Sequence, residues 1–202
     1  MPELVKATPE MALEYARRFL NRRAYTLQAE TPHPASGHHY YYCPKRLGHP
    51  LELTLHDVQR HLAGEITVGI YAINPTTQRV KWMAIDADYR KALEDLLKLQ
   101  CELARNGIQA ALEQSRRGGR LWIFFENAVP AKHARVYVRH LAKQLPVGVK
   151  GSYAADGIEL FPSRTPSTKG ASEMPSAHPL ASIARRANAI GFATLPMNLR
   201  PS

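Results

Sequence analysis

Met83-Ala84-Ile85-Asp86-Ala87-Asp88 is the feature that most constrains this chain, because an apolar run closes there on two acids one residue apart. In an extended strand alternate side chains share a face, so Asp86 and Asp88 point the same way while Ile85 and Ala87 pack behind them. Two carboxylates brought to one spot repel, and one must take up a proton unless a cation lies between them. About thirty residues on comes Ser115-Arg116-Arg117-Gly118-Gly119-Arg120, a glycine-containing turn with three arginines, followed by the apolar run Leu121 to Phe125. Guanidinium groups on such a turn suit phosphate oxygens. Metal-holding acids beside phosphate-holding arginines point to nucleotide chemistry. A solvated basic turn and a strand-end acid cap are the plain structural readings of the same residues.

The charge balance agrees. Lys and Arg number 27 against 17 Asp and Glu, a formal charge of +10, and the sequence pI is near 9.8. Such a field concentrates polyanions, nucleic acid first among them. The basic residues are spread along the chain instead of lying on one amphipathic helix, which disfavours a membrane surface. No run approaches the 18 apolar residues of a membrane span, and the charged N-terminal segment excludes a secretory leader, so a cytoplasmic protein is expected. The two cysteines, Cys43 and Cys101, form no CxxC pair, so a zinc ribbon or disulfide framework is not expected. With 202 residues, one domain with appendages is expected.

Thr8-Pro9 caps an amphipathic helix running to about Leu20. Ala24 to Ala29 and His39 to Cys43 read as paired strands, with alternate tyrosines of Tyr40-Tyr41-Tyr42 facing the core, although a base-stacking strand is the alternative. Leu55 to Leu62 has helical spacing and ends at Gly64. Thr67 to Ile73, the turn Asn74-Pro75-Thr76-Thr77 and Val80 to Asp86 read as a hairpin with the acids at its outlet. Leu93, Leu96, Leu97 and Leu103 form the apolar stripe of a helix from about Tyr89 to Arg105. Strands at Ile108 to Glu113 and Leu121 to Phe125 flank the arginine turn. A helix spans about Ala131 to Gln144, and Lys150 to Ala154 and Gly157 to Phe161 read as strands. Trp82 and Trp122 are expected in the sheet. Helices and strands mix without strict alternation, so the fold class is α+β with a mostly antiparallel sheet. Residues 163–202 are Pro-, Ser- and Ala-rich with one aromatic, Phe192, and read as a partly irregular tail with one short basic helix at Ile183 to Ala189. No Walker A or dinucleotide GxGxxG element is present. His38-His39 lacks the spacing of a rolling-circle nuclease pair.

Four segments in this order, Glu65 to Asn74, Met83 to Asp88, Ala111 to Phe125 and Gly157-Ile158-Glu159-Leu160-Phe161-Pro162, resemble the archaeo-eukaryotic primase (primase-polymerase) superfamily, in particular its bacterial conflict-system and mobile-element branch. The resemblance covers about residues 12 to 162. It implies a primase-polymerase catalytic fold over residues 1–162, a mostly antiparallel sheet flanked by helices with an RRM-like catalytic half, and a diverged tail over 163–202. It implies a template-dependent nucleotidyltransferase, a DNA primase or polymerase acting in DNA replication with Mg or Mn and nucleoside triphosphates on a DNA or RNA template, beside a helicase or nuclease partner. The metal-binding catalytic acids would be Asp86, Asp88 and Glu159, with Asp156 the alternative third acid; Ser115, Arg117, Arg120, Arg164 and Lys169 would bind nucleotide. The chain departs from the pattern at two places. Arg120 stands where relatives have histidine, and Arg120 can hold phosphate but cannot exchange a proton near neutral pH. Ser176-Ala177-His178 stands where a Gly-Asn element is expected. A catalytically impaired nucleic-acid-binding module is therefore the second reading, and a nuclease built on the same acids a third.

Overall fold

A computed structural model describes residues 7–115, 117–150 and 156–163. Arg116, the far end of the expected strand at 150–154, Arg164, Lys169 and the expected helix at 183–189 lie outside the described residues. The described chain divides into two compact units, residues 7–16 with 24–70 and residues 17–23 with 71–163, the boundary falling inside helix α1 (Pro9–Phe19).

In the first unit Thr8 Oγ1 accepts the Met11 N–H at 3.3 Å, the expected cap. Strand β1 (Tyr25–Gln28) pairs antiparallel with β2 (Tyr41–Tyr42) on one edge and is joined on its other edge by a later strand. A small hairpin of β3 (Lys45–Arg46) and β4 (His49–Pro50) follows. Helix α2 (Leu55–Leu62) opens with a capping box, Thr54 Oγ1 accepting the Asp57 N–H while Asp57 Oδ2 accepts the Thr54 N–H. Its C-cap is Ala63, and Gly64 just after it, with φ of +78°, supplies the left-handed turn. Strand β5 (Val68–Ile70) then pairs with β1, Thr26 opposite Gly69. The expected hairpin between this strand and the acid-bearing one does not form. Strand β6 (Arg79–Ala87) has both edges taken by other partners, described below, while the open edge of β1 accepts β5. Among the three tyrosines only Tyr41 turns inward, and burial pushes its hydroxyl up to about 12; Tyr40 and Tyr42 are exposed, with ring centroids 6.4 Å apart.

His61 is the unusual member of this unit's core. It is 1 % exposed, edge-on to Tyr15 at 5.7 Å, with Nδ1 3.2 Å from the Ile66 carbonyl and Nε2 buried without a hydrogen-bond partner. The Val68 N–H also approaches Nδ1, at 3.4 Å, so this one ring nitrogen carries both of the ring's polar contacts. Burial holds its pKa below the ordinary 6.5 despite the Ile66 contact, which acts the other way.

The second unit is built on a four-stranded sheet of order β7 (Ala110–Gln114), β8 (Gly119–Pro130), β6, β9 (Glu159–Phe161), all neighbours antiparallel. Helices α3 (Ala92–Arg105) and α4 (Ala131–Gln144) cover one face. Met83, Ile85 and Ala87 of β6, Leu121 and Ile123 of β8 and Leu160 of β9 meet them in a core closed by Leu96, Leu99, Leu103, Val138 and Leu141. The stripe of α3 is Ala92, Leu96, Leu99 and Leu103, a spacing of four, three and four. Leu97, expected on it, is 47 % exposed, because it lies about 100° round the helix from Leu96 and so off the stripe. On the opposite face Trp82 and Trp122 pack with Phe19 and Phe124, Phe19 standing edge-on to Trp122 and Phe124 at 5.6 and 5.1 Å. The Trp82 indole donates to the Phe19 carbonyl at 2.9 Å. Cys43 and Cys101 form no disulfide.

The turn between β7 and β8 is fixed by backbone proximity. The Ser115 N–H donates to the Gly118 carbonyl at 2.9 Å, and Ser115 Oγ accepts the Gly118 N–H at 3.1 Å. A Cβ at Gly118 would lie 2.0 Å from the Ala87 carbonyl oxygen, so only glycine lets the turn approach the end of β6.

Two measurements follow from these contacts. As pH falls through 6.5 the unfolded chain takes up a proton at His61 that the folded protein refuses, so stability drops on acidification with a slope of up to about 1.4 kcal/mol per pH unit. Urea unfolding at pH 7.5 and 5.5 should show this loss, and His61→Gln should reduce the difference between the two. Gly118→Ala should destabilise the protein by about 1–3 kcal/mol through overpacking, read as a lowered urea midpoint.

Candidate acid–arginine centre

The antiparallel registers lay four charged residues in one row across the second unit's sheet. Glu113 of β7 stands opposite Arg120 of β8, Arg120 opposite Asp86 of β6, and Asp86 opposite Glu159 of β9. Directly paired residues project to the same face, with Cβ atoms about 5 Å apart. That face is the one bearing Trp82 and Trp122, since Asp86 lies two and four residues beyond Ala84 and Trp82, and Arg120 two before Trp122. The helices cover the other face, so the row escapes the apolar core.

Each acid is met by a cation. Arg120 Nε and Nη2 both donate to Asp86 Oδ1, at 2.9 and 2.7 Å, and Arg120 Nη1 lies 3.8 Å from Glu113 Oε2. The Glu113 carboxylate is nearly buried and accepts the Trp122 indole N–H at 2.9 Å. The Arg120 guanidinium also lies 5.7 Å from the Trp122 ring centre. Asp88, one residue past the end of β6, is paired with Arg117 Nη2 at 2.6 Å. Glu159 accepts from the Lys150 ammonium. The hydrogen bond to Glu159 and its charge raise the Lys150 pKa, burial acts weakly against them, and the more distant Asp156 and Asp86 add to the rise. Lys150 is thus a cation standing in the field of three carboxylates. The parallel bridge between Val149 and Ile158 carries it there.

Of the residues expected from sequence, Asp86, Arg120 and Glu159 lie in one row, and Asp88 and Arg117 adjoin it at the end of β6. Glu159 follows the fully buried Ile158, and its neighbour Leu160 is buried too, so the acid is the member of its strand turned toward the row. Asp156 is exposed. The Ser115 hydroxyl is spent in part on its own turn, accepting the Gly118 N–H. Glu113, Lys150 and Trp122 were read from the sequence only as strand residues, with no part in the site. Glu113 was within reach of that reading, because a turn closed by Ser115 and Gly118 sets Gln114 opposite Gly119 and Glu113 opposite Arg120. Lys150 was not, because a parallel bridge across a connection carries no local signal.

By donor type these carboxylates suit a hard divalent ion such as Mg or Mn. By placement they do not form a ready cage. Among the described residues no three acidic, histidine or cysteine side chains converge on one point, and Asp86, Asp88 and Glu159 are each engaged by a guanidinium or an ammonium. No helix among the described residues is long and apolar enough to cross a membrane.

Comparison with curated proteins finds no match. Among solved structures the chain is similar to the polymerase domain from Mycobacterium tuberculosis ligase D in complex with DNA, at 14 % identity and a TM-score of 0.42, over 72 % of this chain and 67 % of that one. The family model for the archaeo-eukaryotic primase domain of the TOTE conflict system matches residues 15–193, most of the chain. The strand that carries Asp86, the arginine turn and the strand that carries Glu159 all lie inside that match, and the chain belongs to the archaeo-eukaryotic primase family, in its TOTE conflict-system branch.

Proposed function

We propose that the protein is a template-dependent nucleotidyltransferase of the primase-polymerase kind, joining a nucleoside triphosphate to a 3′-hydroxyl with release of pyrophosphate. The observation that carries this reading is the placement of Asp86 and Glu159 at paired positions on one sheet face, with Asp88 at the strand end and the Ser115–Arg120 turn against it. Family membership supports the same class of activity. Asp86, Asp88 and Glu159 are the groups that would hold Mg or Mn, which when bound offsets the charge developing on the transferred phosphoryl group. Arg117 is 72 % exposed and needs only to leave Asp88 to reach a triphosphate oxygen, while its partner carboxylate stays in water. Ser115 orients the turn that presents it. Arg164 and Lys169 complete the nucleotide-binding set in this reading, which takes residues 1–162 as the catalytic module and 163–202 as a separate tail. The net charge of +10 supplies attraction for a DNA or RNA template. A helicase or nuclease acting on the same nucleic acid would be the natural companion.

One observation favours the second reading, a nucleic-acid-binding module with impaired catalysis. Arg120, which the family resemblance assigns to nucleotide, has two of its donors on Asp86.

Extension of a labelled primer on a template, with manganese and nucleoside triphosphates, separates the readings. The first expects product from the wild type and a loss of about a hundredfold or more in Asp86→Ala, the scale of removing one transition-state contact. Equal product from both proteins overturns it. The second expects no incorporation by either protein, with binding to single-stranded nucleic acid that weakens steeply as salt rises.

A further inference from the structure

Arg120 is held differently from the other two cations of the centre. Lys150 and Arg117 are 57 % and 72 % exposed and can swing into water, whereas Arg120 is 15 % exposed between two carboxylates. On one edge its Nε and Nη2 grip Asp86 Oδ1; on the other its Nη1 stops 3.8 Å from Glu113 Oε2, inside ion-pair range and beyond hydrogen-bond length. Glu113 is anchored in turn by the Trp122 indole at 2.9 Å, so it does not travel to meet the guanidinium. A guanidinium keeps its proton at any ordinary pH, so Arg120 can release Asp86 only by exchanging it for another anion. A shift of about 1 Å toward Glu113 completes a second hydrogen bond and leaves the charge paired throughout.

We propose that Arg120 is a resident cation that competes with a divalent metal ion for Asp86, and that Glu113 is the positioning residue that receives Arg120 when a metal ion displaces it. The pair forms an admission latch for metal on the acid row. The proposal rests on the reading of Asp86 as a metal ligand. It predicts opposite signs for two neutralising substitutions in contact with each other. Arg120→Gln removes the competitor and tightens metal binding. Glu113→Gln removes the receiving charge yet keeps an acceptor for the Trp122 indole, so a displaced Arg120 has nowhere to go and metal binding weakens. A role in packing alone would weaken binding in both.

The test is Mn2+ titration followed by the electron paramagnetic resonance signal of the free ion, on the whole chain at fixed ionic strength without nucleotide. Arg120→Gln should bind Mn2+ about tenfold tighter than the wild type and Glu113→Gln about tenfold weaker, the scale of a changed neighbour to a metal ligand. Adding Asp86→Asn to Arg120→Gln should abolish the gain. If Arg120→Gln does not fold, the double variant Glu113→Gln with Arg120→Gln leaves no unpaired charge beside Trp122 and should show the same tenfold gain. Asp86-dependent binding that is unchanged or weakened in the Arg120 variants overturns the latch and leaves the metal-ligand reading standing. Binding indifferent to Asp86 in every variant overturns both.

Discussion

The antiparallel pairing of β6 with β8 is the interaction on which the rest of the second unit depends. It runs from Arg79 opposite Pro130 to Ala87 opposite Gly119, with one irregularity between Val80 and Trp82. By sorting side chains to alternate faces it sends Met83, Ile85, Leu121 and Ile123 to the helices and Trp82, Asp86, Arg120 and Trp122 to the other side. The same choice that builds the core therefore delivers charge to the opposite face. A central strand cannot carry two acids into an apolar interior, and β6 avoids this by presenting Asp86 on the face opposite the helices, beyond the buried Trp82 and Ala84, and placing Asp88 past its last residue.

Electrostatic compensation is the second constraint. Glu113, Asp86, Asp88 and Glu159 are faced by Arg120, Arg117 and Lys150, so four carboxylates meet three cations within a strongly basic chain. The pairs differ in what they contribute. Arg117–Asp88 and Lys150–Glu159 involve exposed cations that water screens, and they add little to stability. Arg120 between Asp86 and Glu113 is shielded, and removing one member strands the others. The centre thus combines one firm contact with two that yield readily.

Much of this was legible in the sequence, and the reasons are local. Helix α2 was read at its observed limits because Leu55, Val58 and Leu62 keep helical spacing and Gly64 stops it; the Thr54–Asp57 capping box marks the same start. The gathering of Asp86 and Glu159 was anticipated, since each is an acid at the end of or within an apolar strand, with Arg120 expected on the turn beside them. What failed was partner choice. The Asn74-Pro75 turn suggested that β5 and β6 pair, yet a turn fixes only a change of direction, and β6 is claimed on both edges by strands from farther along the chain. For Arg120 the reading saw only its neighbours in sequence, other arginines, and not the carboxylates that face it across the sheet. Leu97 was placed on the buried stripe because leucines were counted ahead of angular position; the buried line runs through Ala92 and Leu99 instead.

The tight Ser115–Gly118 turn has a consequence for how this chain tolerates change in length. With Gly118 lodged against the Ala87 carbonyl, a single inserted residue would slide β7 one step along β8 and rotate Glu113 to the helical side, leaving Arg120 facing a different neighbour. The exposed stretch from Thr31 to Gly37, which joins β1 to β2 and carries no charged row, is under no such restriction. Natural insertions and deletions among relatives of this chain are therefore expected to collect in the 31–37 connection and to spare the four residues that join β7 to β8.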